Sequence, residues 1–216
     1  MTLKLNGSSS GSVSIDAPAS TTGGADVTLT LPVNDGDANQ LLKTNGSGAL
    51  SWGGGGKILQ VLQSTKTDVF STQAQTPADV DGTDQAGSGS VWCVKITPAS
   101  SSNKVLFQWS VGIGSNQSYS IILALRDTTE LIKGDASGSM SRSTWGSYIS
   151  GTGTVFNAAG SFLDSPSSTS ELTYKLKVGN PYSSGYYTVV NRSHTSTDAS
   201  HNAITSSMLT VMEVEG

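Results

Sequence analysis

The run VLFQWSVGI at residues 105–113 decides the fold class of this chain. Every second residue in this run is apolar, and the stretches at 119–125 and 172–178 repeat the alternation. A period of two places successive side chains on opposite faces, as in a β-strand with one buried face. No stretch shows the period of 3.6 that an amphipathic helix requires. The sequence therefore predicts an all-β fold.

Further strands are predicted wherever a shorter apolar run lies between clusters of turn-forming residues. The predicted strands are 58–63, 91–97, 186–191 and 208–214, and the predicted turns are 98–103, 112–118 and 164–170. About eight or more strands with turn signals in a domain of this size indicate a sandwich. We therefore expect residues 57–216 to form a C-terminal, jelly-roll-like β-sandwich.

The pattern of residues 1–52 differs from that of the C-terminal part. It predicts short extended segments separated by turns rich in Ser, Gly, Asn and Asp. Strands are predicted at 13–15 and 27–31, each too short and too poor in apolar area to be stable alone. We expect this N-terminal segment to gain a core by intertwining with other copies in a homotrimer. The four glycines at 53–56 have maximal backbone freedom and are predicted to be a linker.

The charge of the chain argues against several classes of partner. A net charge of −4 offers no basic surface for nucleic acid, and only 13% of the residues are charged. Such a Ser-, Thr- and Gly-rich surface is typical of a protein that works outside a cell or on a particle. The first residues have no apolar signal-peptide core, and the longest apolar run, 121–125, is too short to cross a bilayer. We therefore expect synthesis in a cytoplasm without a signal peptide, and no membrane insertion.

No catalytic centre is predicted, and no cofactor. Glycoside cleavage needs paired carboxylates in a groove. Here the carboxylates are scattered, and only three cluster, in a predicted loop: Asp79, Asp81 and Asp84. A weak metal-site candidate combines His194 and His201 with Asp198, but their spacing matches no zinc pattern, so a solvated loop is favoured.

Exposed aromatic side chains on loops are the candidate binding residues. Tyr182, Tyr186 and Tyr187 lie in one polar stretch, and Trp145 and Tyr148 lie in another. Tyrosine rings stack on sugar faces, and their hydroxyls form hydrogen bonds. The alternative is that the rings fill the sandwich or a trimer axis, and this packing role is favoured for Trp145 and Tyr186.

The passage DANQLLKTNGSGALSW, residues 37–52, resembles a turn–strand module of tail fibres and related appendages from cyanophages and other marine bacteriophages. The preceding residues 24–32 fit the same setting. In the C-terminal part, the stretches 57–61, 162–166 and 210–214 are similar to the distal domains of such proteins. The resemblance thus covers most of the chain.

The resemblance implies a location in the virion, homotrimers and binding to the host surface, with no catalytic residues. The expected partners are other tail or capsid proteins of the virion and a host-surface glycan or outer-membrane protein. A second hypothesis stays open. The chain is then a purely structural virion component, such as a connector, a capsid decoration or a short spike, that binds only virion proteins.

Overall fold

The computed structural model of the chain describes residues 3–6, 9–15, 18–37, 40–54, 57–195 and 202–216. The chain divides into two units, Met1–Gly55 and Gly56–Gly216. Within the described residues every regular element is a strand except one short 3-10 turn, Thr22–Gly24, which confirms the all-β prediction. No helix in the described part of the chain is long and apolar enough to cross a membrane.

The N-terminal unit consists of two antiparallel hairpins and an extended segment. Strands β1 (Leu3–Asn6) and β2 (Ser12–Ile15) pair, as do β3 (Gln40–Thr44) and β4 (Leu50–Gly54). None of the side chains whose exposure is described in residues 9–53 is buried. Apolar side chains that stay accessible to solvent gain little from the hydrophobic effect, so the described part of this unit has little to stabilise it on its own.

The strand predicted at 27–31 is wrong. This segment forms only one isolated bridge, in which Thr30 lies beside Ala49. Two backbone hydrogen bonds hold it, from the Thr30 N–H to the Gly48 carbonyl and from the Leu50 N–H to the Thr30 carbonyl, each 2.8 Å long. The alternating sequence suits a strand, but among the described residues of the unit no further backbone pairs with it to continue the ladder.

The C-terminal unit is built from two antiparallel sheets of six strands each. Sheet I contains β7 (Ala78–Asp79), β8 (Cys93–Ile96), β10 (Ser118–Arg126), β11 (Thr129–Ile132), β12 (Trp145–Ile149) and β14 (Leu172–Gly179). Sheet II contains β5 (Ile58–Lys66), β6 (Phe70–Thr72), β9 (Lys104–Ser115), β13 (Val155–Asp164), β15 (Thr188–Val190) and β16 (Ser207–Val214).

The two sheets pack face to face around one apolar core, which confirms the predicted sandwich. The alternating residues of β9, from Val105 to Ile113, are all buried in this core, as are those of β14 from Leu172 to Val178. The rings of Phe107 and Tyr174 meet across the core with centroids 5.4 Å apart. Burying each such large side chain contributes about 1.5–3 kcal/mol, so these two long alternating strands supply a large part of the core.

The turn predicted at 112–118 is shorter than expected. Strand β9 continues to Ser115, β10 begins at Ser118, and only Asn116 and Gln117 separate them. Gly112 and Gly114 lie within β9 and not in a turn. At Gly114, the absence of a side chain lets another backbone segment approach the strand closely. A Cβ atom at Gly114 would lie 2.4 Å from the Arg192 carbonyl oxygen, so only glycine fits beside that backbone.

The side chains of β10 that point into the core are not those of the alternating series by which the strand was predicted. Its pairing with β14 places Ile122 opposite Val178, and Ile122 and Ala124 point inward. The alternating series that identified the strand, from Tyr119 to Leu125, therefore lies on the outer face of sheet I. Residues 121–125 in the middle of the strand are apolar on both faces, so periodicity alone could not assign the inward one.

A buried carboxylate ties the last strand to the turn before β9. Glu213 on β16 is 1% exposed and forms no ion pair within the described part of the chain. One oxygen accepts hydrogen bonds from Asn103 Nδ2 and the Ala99 N–H, both at 2.6 Å, and the other accepts one from Gln60 Nε2 at 2.5 Å. Burial alone would raise the pKa of Glu213, but these hydrogen bonds hold it below its usual value.

Glu213 is expected to make the stability of the sandwich depend on pH. Its pKa is lower in the folded than in the unfolded protein, so its contribution is complete above an unfolded value of about 4.3. The contribution is lost as the pH falls through the folded value. Thermal melting between pH 7 and pH 3 should therefore show a Glu213→Gln variant that is less stable at pH 7 and falls less steeply below pH 5. Parallel melting curves for the two proteins across this range would contradict this role.

Candidate functional site

Four tyrosines form a continuous series of ring contacts on the outer face of sheet I. Tyr119 on β10 lies opposite Tyr148 on β12, and their ring centroids are 5.1 Å apart in an edge-on arrangement. Tyr119 also contacts Tyr182 at 6.4 Å, and Tyr182 contacts Tyr186 at 5.5 Å. We call Tyr148, Tyr119, Tyr182 and Tyr186 the tyrosine row. Aromatic pairs of this kind gain about 0.5–1.5 kcal/mol each, so the rings stiffen one another.

The tyrosine row is open to solvent for most of its length. Tyr119, Tyr148 and Tyr182 are 49%, 51% and 65% exposed, and Tyr186 is half-buried. Within the described part of the chain, none of the four phenol groups forms a hydrogen bond. A large aromatic surface with unused hydroxyls, held on a sheet, is what a contact site for another molecule requires.

A groove runs beside the tyrosine row. Tyr119, Tyr148 and Tyr182 line it, together with residues that precede β12 or lie within it. We call this the tyrosine groove, with a volume of about 580 Å³. No residue that lines it carries a charged side chain. Its lining outside the tyrosine row is Ile121, Met140, Ser141, Ser143, Gly146, Ser147 and Pro181.

Two asparagines fix the loop that carries Tyr182 and Tyr186. Asn180 is fully buried, and its Oδ1 accepts a hydrogen bond from the Tyr182 N–H at 2.9 Å. Asn116, in the β9–β10 turn, accepts one from the Tyr187 N–H at 2.6 Å and donates one to the Gly185 carbonyl at 3.2 Å. The short turn that joins the two sheets thus holds the loop through the Tyr187 N–H and the Gly185 carbonyl.

Replacing Asn116 with Ala is expected to loosen this loop while the sandwich stays folded. The change removes the partner of the half-buried Tyr187 N–H, at a cost of about 1 kcal/mol, and leaves the exposed Gly185 carbonyl to water. Amide hydrogen exchange in residues 182–187 should accelerate, whereas exchange in β9 and β14 should not. Ser184→Ala is the matched control, since its exposed side chain makes no hydrogen bond in the described structure. Unchanged exchange in the loop would show that Asn116 does not position it.

The sequence-based candidates divide into three groups. Tyr148, Tyr182 and Tyr186 belong to the tyrosine row. Tyr187 lies apart from it and contacts His194, with ring centroids 5.2 Å apart. Trp145 lies opposite Ile122 in the register and packs against the core. The structure therefore places three of these five candidates together.

Tyr119 was not among the sequence-based candidates. Its place in an alternating strand predicts a packing role, and nothing near it in sequence marks an exposed face. Tyr119 can be recognised as a candidate binding residue only once the pairing of β10 with β12 is known. In that pairing, Tyr119 lies across from a second exposed tyrosine, Tyr148. Cross-strand aromatic pairs on one face are a recognised stabilising unit of sheets.

The metal-site candidates are not assembled in the described structure. His194 contacts Tyr187, whereas Asp198 and His201 lie outside the described residues. In the ranges that the structure describes, no group of three or more His, Cys, Asp or Glu residues could hold a metal ion.

The carboxylates that cluster in the sequence are each paired with a different lysine. Asp79 lies 2.9 Å from Lys175, Asp81 lies 3.0 Å from Lys66, and Asp84 lies 3.1 Å from Lys95. Hydrogen bonds from the Ser88 N–H and from Lys95 lower the pKa of Asp84. These ion pairs fix the segment between β7 and β8 to its neighbours.

Comparison of the sequence with protein-family models gives no match, and comparison with curated proteins gives none either. The geometry of the tyrosine row and groove is therefore the basis for assigning what the site can bind. An array of exposed rings is suited to packing against a flat apolar face, with free hydroxyls available as hydrogen-bonding groups.

Proposed function

We propose that the chain is a structural protein of a bacteriophage virion, a tail fibre or related appendage that attaches the particle to the host cell. The observation that carries the proposal is the tyrosine row, exposed on the outer face of a rigid sandwich. Binding groups are commonly presented on such a fixed body, and tyrosines dominate contact sites that must be selective without being charged. In this proposal the protein performs no catalysis and needs no cofactor.

The same proposal includes a homotrimer formed through the N-terminal unit. The extended segment carries Val27, Leu29, Leu31 and Val33 at alternate positions, and each is at least 58% exposed. An exposed apolar series of this kind on an extended segment with a single bridge is suited to pairing with another chain. Trimers are also what the resemblance to phage appendages implies, and three chains present three copies of any weak site.

Light scattering at micromolar concentration should give a mass close to three times that of one 22.2 kDa chain. The double variant Leu29→Asn/Leu31→Asn should shift the protein toward smaller species, because it replaces apolar area that association would bury. Thr28→Asn is the matched control in the same exposed segment. A wild-type protein that stays monomeric would contradict the trimer.

Attachment is tested by adding the fluorescently labelled full-length chain to a panel of marine cyanobacterial strains. We expect saturable binding to some strains and none to others, since receptors differ between hosts. Unlabelled chain should compete for the same sites. Absence of saturable binding across the whole panel would count against an attachment function.

A second candidate function is a purely structural virion component, and one feature of sheet II favours it. Four apolar residues form a row across its outer face, in the register Val61, Met212, Leu106 and Leu163. Val61 and Leu163 are 54% and 48% exposed. This row is suited to packing against another virion protein. If it is the only functional surface, a Leu163→Asn variant should fail to assemble into particles, and changes in the tyrosine row should have no effect on attachment.

A further inference from the structure

We infer that the tyrosine groove binds an uncharged sugar chain, with the faces of its rings laid against Tyr148, Tyr119 and Tyr182. The inference rests on the proposed attachment function and specifies the chemistry of the receptor. It also assigns the groove, in addition to the tyrosine row, as the binding site.

The absence of charge in the groove lining selects the class of sugar. None of the lining side chains is a cation that would pair with a carboxylate, sulfate or phosphate group. An anionic ligand would lose water in this groove without a compensating charge, which costs more than burying a neutral one. Arg142 lies next in sequence to Ser141 and Ser143, but it is not part of the lining, and its Nε donates a hydrogen bond to the Gly134 carbonyl at 2.7 Å.

The mixture of surfaces matches a sugar better than a peptide. A pyranose ring has one apolar C–H face and a rim of hydroxyls, and the groove offers rings together with hydroxyls. The Ser141 and Ser143 hydroxyls form no hydrogen bond with the described part of the chain, and neither do the three lining phenols. Met140, which is 74% exposed, adds an adaptable apolar wall. Peptide recognition by strand addition would instead use backbone hydrogen bonds at a strand edge, which β12 offers because it pairs only with β10 among the described strands, and the protease treatment below distinguishes that mode.

The groove also has a suitable size. Its volume of about 580 Å³ lies within the range of roughly 300–1,000 Å³ that small-molecule sites occupy. Single sugars bind weakly to such open surfaces, and presentation on a multimeric particle compensates through effective concentration.

The first test treats host cells before the labelled full-length chain is added. Mild periodate cleaves the vicinal diols of sugars, whereas protease removes exposed protein receptors. We expect periodate to lower binding at least about tenfold, a loss of about 1.4 kcal/mol, and protease to leave it unchanged. If protease abolishes binding and periodate does not, the receptor is a protein and the sugar inference is wrong, although the attachment function stands.

The second test needs no cells. The full-length chain is titrated with neutral gluco-, galacto- and manno-oligosaccharides and with uronate and sulfated oligosaccharides, and the tyrosine ring resonances are followed by NMR. At least one neutral series should shift Tyr119, Tyr148 and Tyr182 at millimolar concentration, and Ser143→Val should weaken that binding while Ser184→Ala should not. A response confined to the acidic series, or none from any of the oligosaccharides, would overturn the inference.

Discussion

The Tyr148→Ala/Tyr182→Ala double variant is expected to bind host cells at least about 100-fold more weakly than the wild-type chain, with its fold intact. Each aromatic contact contributes about 0.5–1.5 kcal/mol beyond simple burial, and the variant removes two of them from every copy. The loss is multiplied in an assembly, because several weakened sites must hold at once. Both rings are more than half exposed, so the C-terminal unit should stay folded, although the variant also removes the three ring contacts of the tyrosine row, each of about 0.5–1.5 kcal/mol.

Two control variants identify what the rings contribute. Tyr148→Phe/Tyr182→Phe keeps both rings and removes only the hydroxyls, so it should retain much of the binding. Tyr187→Ala removes a nearby tyrosine that lies outside the tyrosine row and contacts His194, and it should bind nearly as well as the wild type. If the double Ala variant binds normally, or if Tyr187→Ala is the variant that loses binding, the tyrosine row is not the attachment site.

The second large effect concerns stability. Asp164→Ala is expected to destabilise the C-terminal unit by about 3–5 kcal/mol, which lowers its melting temperature by roughly 10 °C. Asp164 Oδ2 accepts a hydrogen bond from Arg126 Nη1 at 2.6 Å and another from the Tyr174 hydroxyl at 2.7 Å. Tyr174 is fully buried, and burial followed by its bond to Asp164 raises its pKa far above the usual value. The substitution leaves a buried hydroxyl and a largely buried guanidinium without their partner.

Tyr174→Phe is the matched variant for this buried group. It removes one hydrogen bond and leaves the Arg126–Asp164 ion pair in place, so it should cost only about 1 kcal/mol. Thermal and denaturant unfolding of the three proteins gives the comparison directly. Equal losses for the two variants would show that the ion pair adds nothing beyond the tyrosine hydrogen bond.

The sandwich was predictable because its central strands are long and strictly alternating. Strands β9 and β14 bury one face each, and a pattern with one buried face can be read from sequence. The segment 27–31 alternates in the same way, yet it has no strand partners within the unit and remains a single bridge. Alternation shows that a segment can form a strand, whereas pairing depends on the edges available elsewhere in the fold.

The candidate site was only partly predictable for a related reason. Tyr148 and Tyr182 lie in polar stretches, where an aromatic residue suggests exposure. Tyr119 lies in an apolar strand and would be expected inside. Its outward direction follows from the register of β10 with β14, which places Ile122 in the core instead. Trp145 also alternates along its strand with the exposed positions, and its inward direction is set by the same register.

The most direct measurement of the central claim is competition for the host surface. Host cells are saturated with the purified full-length chain before the phage that carries it is added, and adsorbed particles are counted. Attachment through the tyrosine row predicts that the wild-type chain blocks adsorption and that the Tyr148→Ala/Tyr182→Ala variant at the same concentration does not. Undiminished adsorption in the presence of saturating wild-type chain would contradict the claim, as would equal blocking by the two proteins.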